Sequence, residues 1–578
     1  MTPWKILIRS AMICLLVGTV LFGLALRKTD SLPLSGVPLK FDAMRAHANM
    51  KLLAKKFPGR VTWSDNRRRA GDWLKAEFTK LGYTPQSMTF SEVIEGKQYT
   101  DLENIYVEKR GTKHPDEIVV AMAHYDVTDT TLEGAMDDAS GVAVVLELAR
   151  IFSKENSDRT LLFLLTDSEE FGAFWGARAF AKNFDRADKI VAAENFDFVG
   201  PDHQTRILTL CSGLKNGYTP LWLREIALDS VRSVGGVKAI DFDNIVEFIE
   251  RAVQIPPADH GAFLAEGIPA FNYVGQTDHF SNEMARYHHT PGDVAEIMRP
   301  ESFISYGRAA ERVMRTIDTL VRIPEDFRNN SYWKISSHLY VDGWVVTLLH
   351  ILGFIPFLAY CISKFQTTLY TRKREMLLVV LKNETKNIGI LLASLLLGYG
   401  IMRLLPSLSI VTQYEVFPAT QKSVILSNPN LMAILLVVGS ILGVYLVFKR
   451  TFQTPEDLLE HSEIRHALHA VFLALIIFLA FLKNSYLAVL LLLPPAYFWV
   501  IIRTRKKAED RIFNFLLLLG GAITFITTAV VLTTIFHIGV IYWYLFLSAT
   551  YGLISAYTVV LFFMVLTVMI RLFRSFVM

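Results

Sequence analysis

Apolar positions follow two patterns along this chain. From residue 31 to about 340 they form short runs and helical stripes broken by charged turns. From 343 to 578 they form long blocks separated by short charged loops. The first pattern predicts a soluble domain and the second a set of membrane helices. Within the soluble part, NRRRAGDWLKAEFTKLG (66–82) has helical spacing and a closing glycine. NIYVEKRG (104–111), EIVVAMAHYD (117–126), RTLLFLLTD (159–167), KIVAAENFDF (189–198), RILTLCS (206–212) and IPAFNYVG (268–275) read as strands. Between and after them, 137–154, 171–184 and 301–322 read as helices. Alternation of strand and helix predicts an α/β fold, a three-layer sandwich on a mainly parallel sheet.

The long blocks predict a first span near 11–26 and seven more at about 343–362, 387–404, 431–448, 466–482, 485–502, 512–535 and 543–570. The expected organisation is an N-terminal signal anchor (1–30), a soluble domain (31–340) and an all-α transmembrane bundle (341–578). With both termini cytoplasmic, the cytoplasmic loops of the bundle carry 16 Lys/Arg and the outer loops carry two, Lys422 and Lys483. That asymmetry places the soluble domain on the non-cytoplasmic side, periplasmic or lumenal. His350, His461, His466 and His469, and the pair Pro494–Pro495, read as helix-end polar groups and packing kinks.

Composition adds little to this. Net charge is +4 and no basic stripe carries interleaved aromatics, so nucleic acid is a poor partner. Cys14 and Cys361 fall in apolar blocks, leaving Cys211 alone in the soluble part with no intrachain disulfide to form.

The chemistry lies at strand ends. In LLFLLTDSEEFG (161–172) a buried-looking strand runs directly into Asp167, Ser168, Glu169 and Glu170. In open α/β sheets, ligands bind at the carboxyl ends of the strands. His124 and Asp126 end one strand, Asp137 opens the next helix, Glu169 and Glu170 follow another strand, and Asp197 ends a further one. Five acids and an imidazole on one sheet edge repel one another unless a cation sits among them. Histidine nitrogen and carboxylate oxygen suit zinc, and a carboxylate can bridge two ions. A free carboxylate beside a liganding one can act as general base, which divides the labour between Glu169 and Glu170.

Taken in order, AHYD, GAMDDASG, DSEEFG, NFDF and HHTPGD resemble the co-catalytic zinc exopeptidases of peptidase clan MH, family 28. That family includes aminopeptidases, glutamate carboxypeptidases and, more distantly, glutaminyl cyclases. The resemblance covers roughly residues 40 to 320. It implies two Zn²⁺ ions held by His124, Asp137, Glu170, Asp197 and His289, with Asp137 bridging. Which ion Glu170 holds stays open. It also implies that Glu169 is the general base and that Asp126 orients His124 from behind. Asp259 and His260 match an Asp-His pair near the family's site, and His260 alone reads as a structural histidine. In some relatives a tyrosine directly precedes the ligand histidine; here His288 takes that place and Tyr287 lies one residue earlier.

The resulting expectation is a membrane-anchored metallopeptidase acting on peptide substrates, an aminopeptidase with carboxypeptidase as the other option, similar to the multi-span metallopeptidases of endoplasmic reticulum and vacuole. A single-zinc glutaminyl cyclase and a non-catalytic scaffold resembling the peptidase-like transamidase subunit stand as alternatives. The bundle offers anchoring in the lipid bilayer, homo-oligomerisation or substrate delivery.

Overall fold

The computed structural model describes residues 2–534 except 30–31, 95–96, 171–173, 215–216, 254–257, 280–282, 284–285, 372–373, 406–407, 409, 411–430, 452–461 and 502–507. After an apolar helix α1 (Pro3–Ala25) and a short strand β1 (Leu26–Lys28), the soluble domain opens with α2 (Ala43–Lys56) and α3 (Asp65–Lys80). Asp42 and Ser64 cap these two helices by accepting the Arg45 and Arg67 N–H groups. The main sheet then collects β2 (Gln86–Ile94), β3 (Lys97–Lys109), β4 (His114–His124), β5 (Arg159–Thr166), β6 (Ile190–Phe196), β7 (Arg206–Leu210), β8 (Lys238–Asp241) and β9 (Ala270–Gln276). Their order in space is β2-β3-β5-β4-β6-β9-β7-β8. The centre β5-β4-β6-β9 is parallel, while β2 and β3 at one edge and the β7–β9 pair run antiparallel.

Helices cover both faces, so β4, β5 and β6 read as nearly unbroken apolar runs rather than alternating ones. One face packs on α2, α3, α4 (Ser140–Ser153), α6 (Leu221–Val234) and α9 (Ser302–Thr319) through residues such as Met50, Leu74, Val144, Val231 and Met314. The other packs on the shorter α5 (Trp175–Asn183), α7 (Asn244–Val253) and α8 (His260–Ala265). That second core continues into the C-terminal part through Met402, Leu405, Val437, Leu487 and Leu491.

The expected helix over 137–154 starts later, at Ser140. Asp137 and Asp138 have non-helical dihedrals, φ −123° and −129°, and Asp138 caps α4 by accepting the Gly141 N–H at 2.8 Å. A small sheet was not expected at all: β1 pairs antiparallel with β11 (Leu339–Asp342), which pairs with β10 (Tyr332–Ser336). It ties the end of α1 to the helix Gly343–Thr371, and Gly18 of α1 faces Leu349 and Leu352 of that helix.

Helices Gly343–Thr371, Arg374–Leu404, Leu431–Thr451, Ser462–Lys483 and Ala508–Thr534 contain five of the expected C-terminal spans. The 485–502 span is broken into Ser485–Leu487, a π turn Ala488–Leu492 and Leu493–Ile501, with Pro494–Pro495 in the first turn of the last piece. The expected span 543–570 and His461 lie outside the described residues. Among the described residues, two helices, α1 and Gly343–Thr371, are long and apolar enough by themselves to cross a bilayer. His350 is a packed histidine: its Nδ1 lies 2.9 Å from Ser485 Oγ, and Phe248, Phe481 and Tyr486 surround the ring.

Candidate metal centre

The register of the sheet brings the polar strand ends level. His124 pairs with Thr166 across β4–β5, and Met122 with Asn195 across β4–β6. His124, Asp167 and Asp197 therefore leave the sheet at one edge. The turn before α4 brings Asp137 over that edge, and the segment before α9 brings His288 and His289.

Asp137 is the hub. Its Oδ1 lies 3.1 Å from His124 Nε2, and its Oδ2 lies 3.2 Å from His288 Nε2 and 3.3 Å from His289 Nε2. Asp197 Oδ1 stands 3.9 Å from His124 Nε2. Glu170 Oε2 stands 2.7 Å from His289 Nε2, which puts Glu170 on the His289 side of the hub. Two donor groups result, His124–Asp137–Asp197 and Asp137–His288–His289, and in each the donor atoms lie within 4.8 Å of one another. Asp137 belongs to both.

Burial sets the electrostatics. It pushes Asp197 and Glu169 well above the usual carboxylate range, reinforced by neighbouring acids. Burial and the Asp137 charge raise Glu170 despite its His289 partner. Burial opposes ionisation of Asp137 too, but hydrogen bonds from His124, His288 and His289 hold its carboxyl well below the usual range. Burial would lower His289, yet Glu170 and Asp137 raise it to about 10. Burial and the neighbouring His289 lower His288, but acids that resist ionisation beside His124 and His289, which hold their protons, mark a place that demands positive charge. With mixed nitrogen and oxygen donors, the residues fit one or two divalent cations.

Asp126 stands behind His124 and also supports the turn that carries the two glutamates. Its Oδ1 is 3.6 Å from His124 Nδ1, too long for a hydrogen bond. It accepts the Glu169 N–H at 3.1 Å and the Glu170 N–H at 3.3 Å. Asp126 thus fixes the turn that carries both glutamates. That turn contains Ser168 at φ 63°, and His289 sits at φ 54°. Left-handed backbone at non-glycine residues costs about 1–3 kcal/mol each and concentrates at functional sites. The Glu169 side chain keeps 8 % exposure.

The remaining named residues stand further back. Asp259 accepts a hydrogen bond from the Thr166 hydroxyl and adds negative charge behind Glu169 and Asp197. His260, at the start of α8, is fully buried, and burial lowers it to about 3, so it is neutral. The Tyr287 ring packs half-buried at the edge of the first core, and its carbonyl accepts from Thr290.

Sequence reasoning missed three supports. Asp293, the last residue of HHTPGD, accepts the Met136 N–H at 2.7 Å and the Asp137 N–H at 3.0 Å. Its place in that motif was the signal available. Arg60 is fully buried and donates to the carbonyls of Phe57, Tyr125, Glu133 and Gly134. It clasps the segment holding His124 and Asp126 to the one leading into Asp137. Arg67 reaches from α3 to Asp167 at 2.9 Å, anchoring the start of the DSEE turn.

A "Probable zinc metalloprotease" of Pyrenophora tritici-repentis is 28% identical over 262 residues, covering 39% of this chain and 58% of that protein. "Aminopeptidase YwaD" of Bacillus subtilis is 28% identical over 194 residues, covering 33% of this chain and 39% of that protein. The chain thus spans less than two thirds of the length of these relatives. Among solved structures, a Porphyromonas gingivalis glutaminyl cyclase aligns with TM-score 0.39 and 21% identity over 47% of this chain and 98% of its own. The stretch that carries the cluster, residues 104–314, matches the description "Peptidase family M28", and this chain therefore carries a domain of that family.

Proposed function

We propose that this chain is a membrane-anchored two-zinc exopeptidase of the aminopeptidase type, removing N-terminal residues from peptides on the non-cytoplasmic side. One observation carries the reading: a single buried carboxylate, Asp137, joins two donor groups through its two oxygens. His124 and Asp197 would hold one ion, His289 and Glu170 the other, and Asp137 both. His288, as close to Asp137 as His289 is, would stand beside the second ion. Bound there, zinc polarises a scissile carbonyl and makes water acidic near neutral pH.

The chain's own groups do the rest. Glu169 takes the proton from the attacking water and returns it to the leaving amine. Burial and neighbouring acids raise its affinity for that proton, which suits a base that must also act as an acid. Asp126 holds the Glu169 and Glu170 backbones, so the base and the neighbouring ligand keep a fixed separation. Arg60 and Asp293 keep the two acidic segments in register from behind.

The test is metal content together with Glu169→Ala. We expect two zinc ions per chain, retained in the variant, and hydrolysis of aminoacyl substrates reduced by about 10²–10⁴-fold. Normal hydrolysis by Glu169→Ala would overturn the assigned base. One ion together with cyclisation of N-terminal glutaminyl peptides would replace the reading with a cyclase, and no bound metal would replace it with a scaffold.

The lysine and arginine asymmetry of the C-terminal loops, together with α1 packed along Gly343–Thr371, supports the membrane placement. Exposed His203 tests it. In sealed membrane vesicles that turn the non-cytoplasmic face outward, a His203→Cys chain should react with a membrane-impermeant maleimide, and labelling only after permeabilisation would reverse the topology.

A further inference from the structure

A second polar cavity lies away from the metal centre, where the soluble domain meets the C-terminal helices. It has a volume of about 190 Å³. Its walls come from both parts of the chain: Ser212 and Tyr218 after β7, Glu250 and Arg251 of α7, and Lys483 and Asn484 between two apolar helices. Asn484 fixes the junction. Its amide donates to the Arg251 and Ala252 carbonyls at 3.0 and 3.2 Å, and its Oδ1 accepts the Leu487 N–H.

A buried carboxylate and a half-buried guanidinium in this wall are only partly satisfied. Glu250 is 1 % exposed; its Oε2 accepts from the Tyr218 hydroxyl at 2.8 Å and Ser212 also hydrogen-bonds the carboxyl, while Oε1 has no hydrogen-bond partner. Arg251 donates through Nε to Glu247 and through Nη1 to the Asn330 carbonyl, and its guanidinium lies 3.6 Å from the Tyr218 ring centre. Its Nη2 is buried without a partner. Native structures rarely leave such groups unmatched, because each gives up its hydration without a replacement partner. An acceptor and a donor of opposite charge line one small cavity, and exposed Lys483 adds a cation to its wall.

We propose that this cavity is a second ligand site, for a small zwitterion carrying a primary ammonium and an acidic group. The ammonium would pair with Glu250 Oε1 and the acidic group with Arg251 Nη2 and Lys483. Burial pushes the Glu250 carboxyl up to about 7, and an ammonium supplies the counter-charge its buried oxygen lacks. Free α-amino acids and the ethanolamine phosphate headgroup of a membrane lipid share this chemistry. The site stands independently of the peptidase reading, since none of its residues belongs to the Asp137 cluster.

The experiment is calorimetric titration of the detergent-solubilised full chain with L-alanine and L-leucine in one arm and O-phosphoethanolamine in the other. Glu250→Gln keeps an acceptor for Tyr218 and the side-chain shape. Lys483→Gln changes an exposed position and guards against misfolding of the first variant. We expect saturable binding in one arm, weakened about tenfold or more by Glu250→Gln, the worth of one charge-assisted hydrogen bond. Lys483→Gln should weaken it several-fold, and Glu169→Ala should leave it unchanged. Saturation in the first arm identifies an amino acid, in the second a headgroup. Absence of binding in both arms, or equal affinity in wild type and both cavity variants, would overturn the proposal.

Discussion

Replacing Arg60 with lysine keeps a positive charge in place and removes the planar fork. In the native chain that fork makes four hydrogen bonds: Nε to Tyr125 O at 2.9 Å, Nη1 to Glu133 O at 2.7 Å and Phe57 O at 3.2 Å, and Nη2 to Gly134 O at 3.2 Å. A lysine ammonium donates from one point and can keep about two of them. Losing two hydrogen bonds from a charged donor, at about 1.5–3 kcal/mol each, gives about 3–6 kcal/mol. For a domain of this size that is a fall in Tm of about 6–24 °C. The clasp joins the Tyr125 carbonyl, between His124 and Asp126, to the approach to Asp137, so the two acidic segments should drift apart. Zinc affinity should fall about 10–100-fold, as for other residues that orient ligands from behind. Thermal melts of zinc-loaded and stripped protein measure the first quantity, and competition with a calibrated chelator measures the second. If Arg60→Lys melts within about 2 °C of wild type and holds zinc equally well, the clasp does not organise the site.

Gly141→Ala should fail more severely, because a Cβ there would run into the Phe196 carbonyl and the Asp138 carboxylate. The expected loss is about 3 kcal/mol or more, read as lower soluble yield and a depressed melt. His260 supplies a pH test. Its folded value of about 3 lies below an unfolded value of about 6.5. The unfolded chain therefore binds more protons across that window, and the contribution of His260 is present above about 6.5 and lost as pH falls toward 3. The full span is on the order of 4–5 kcal/mol, and His260→Gln should flatten the acid limb of the stability profile. Removing metal with a strong chelator should abolish hydrolysis and lower Tm, since the folded state alone presents the assembled donor set; readded zinc should restore both.

Local patterns made the strands and helices around the site legible, and long-range partners were not. RTLLFLLTD declared a strand buried on both faces, and β5 runs from Arg159 to Thr166 as that pattern requires. β2 escaped notice because its alternating QSMTFSEVI lies at an edge, where half the residues meet water. The β1–β11 pairing joins residues more than 300 apart and has no local signature. The start of α4 was misplaced for a related reason. Asp137 and Asp138 look like the first turn of an amphipathic helix, yet Asp138 is spent as its cap and Asp137 turns back into the cluster.

The same division runs through the site. Residue types and order pointed to His124, Asp137, Glu169, Glu170, Asp197 and His289, because a crowd of acids at strand ends has few uses besides holding cations. What order alone does not reveal is how the crowd is held in place. Arg60 works entirely through backbone carbonyls, and Asp293 and Asp126 through backbone N–H groups. Main-chain groups exist at every position, so such contacts leave no preference for a particular partner residue in the sequence. The choice between His288 and His289 shows the same limit, since both Nε2 atoms stand 3.2–3.3 Å from one Asp137 oxygen. Glu170 separates them: it sits 2.7 Å from His289, so His289 faces a second carboxylate where His288 instead lies against the Phe198 ring. A ligand is better placed between two acids than against an apolar wall, and His289→Ala should therefore cost more zinc affinity than His288→Ala.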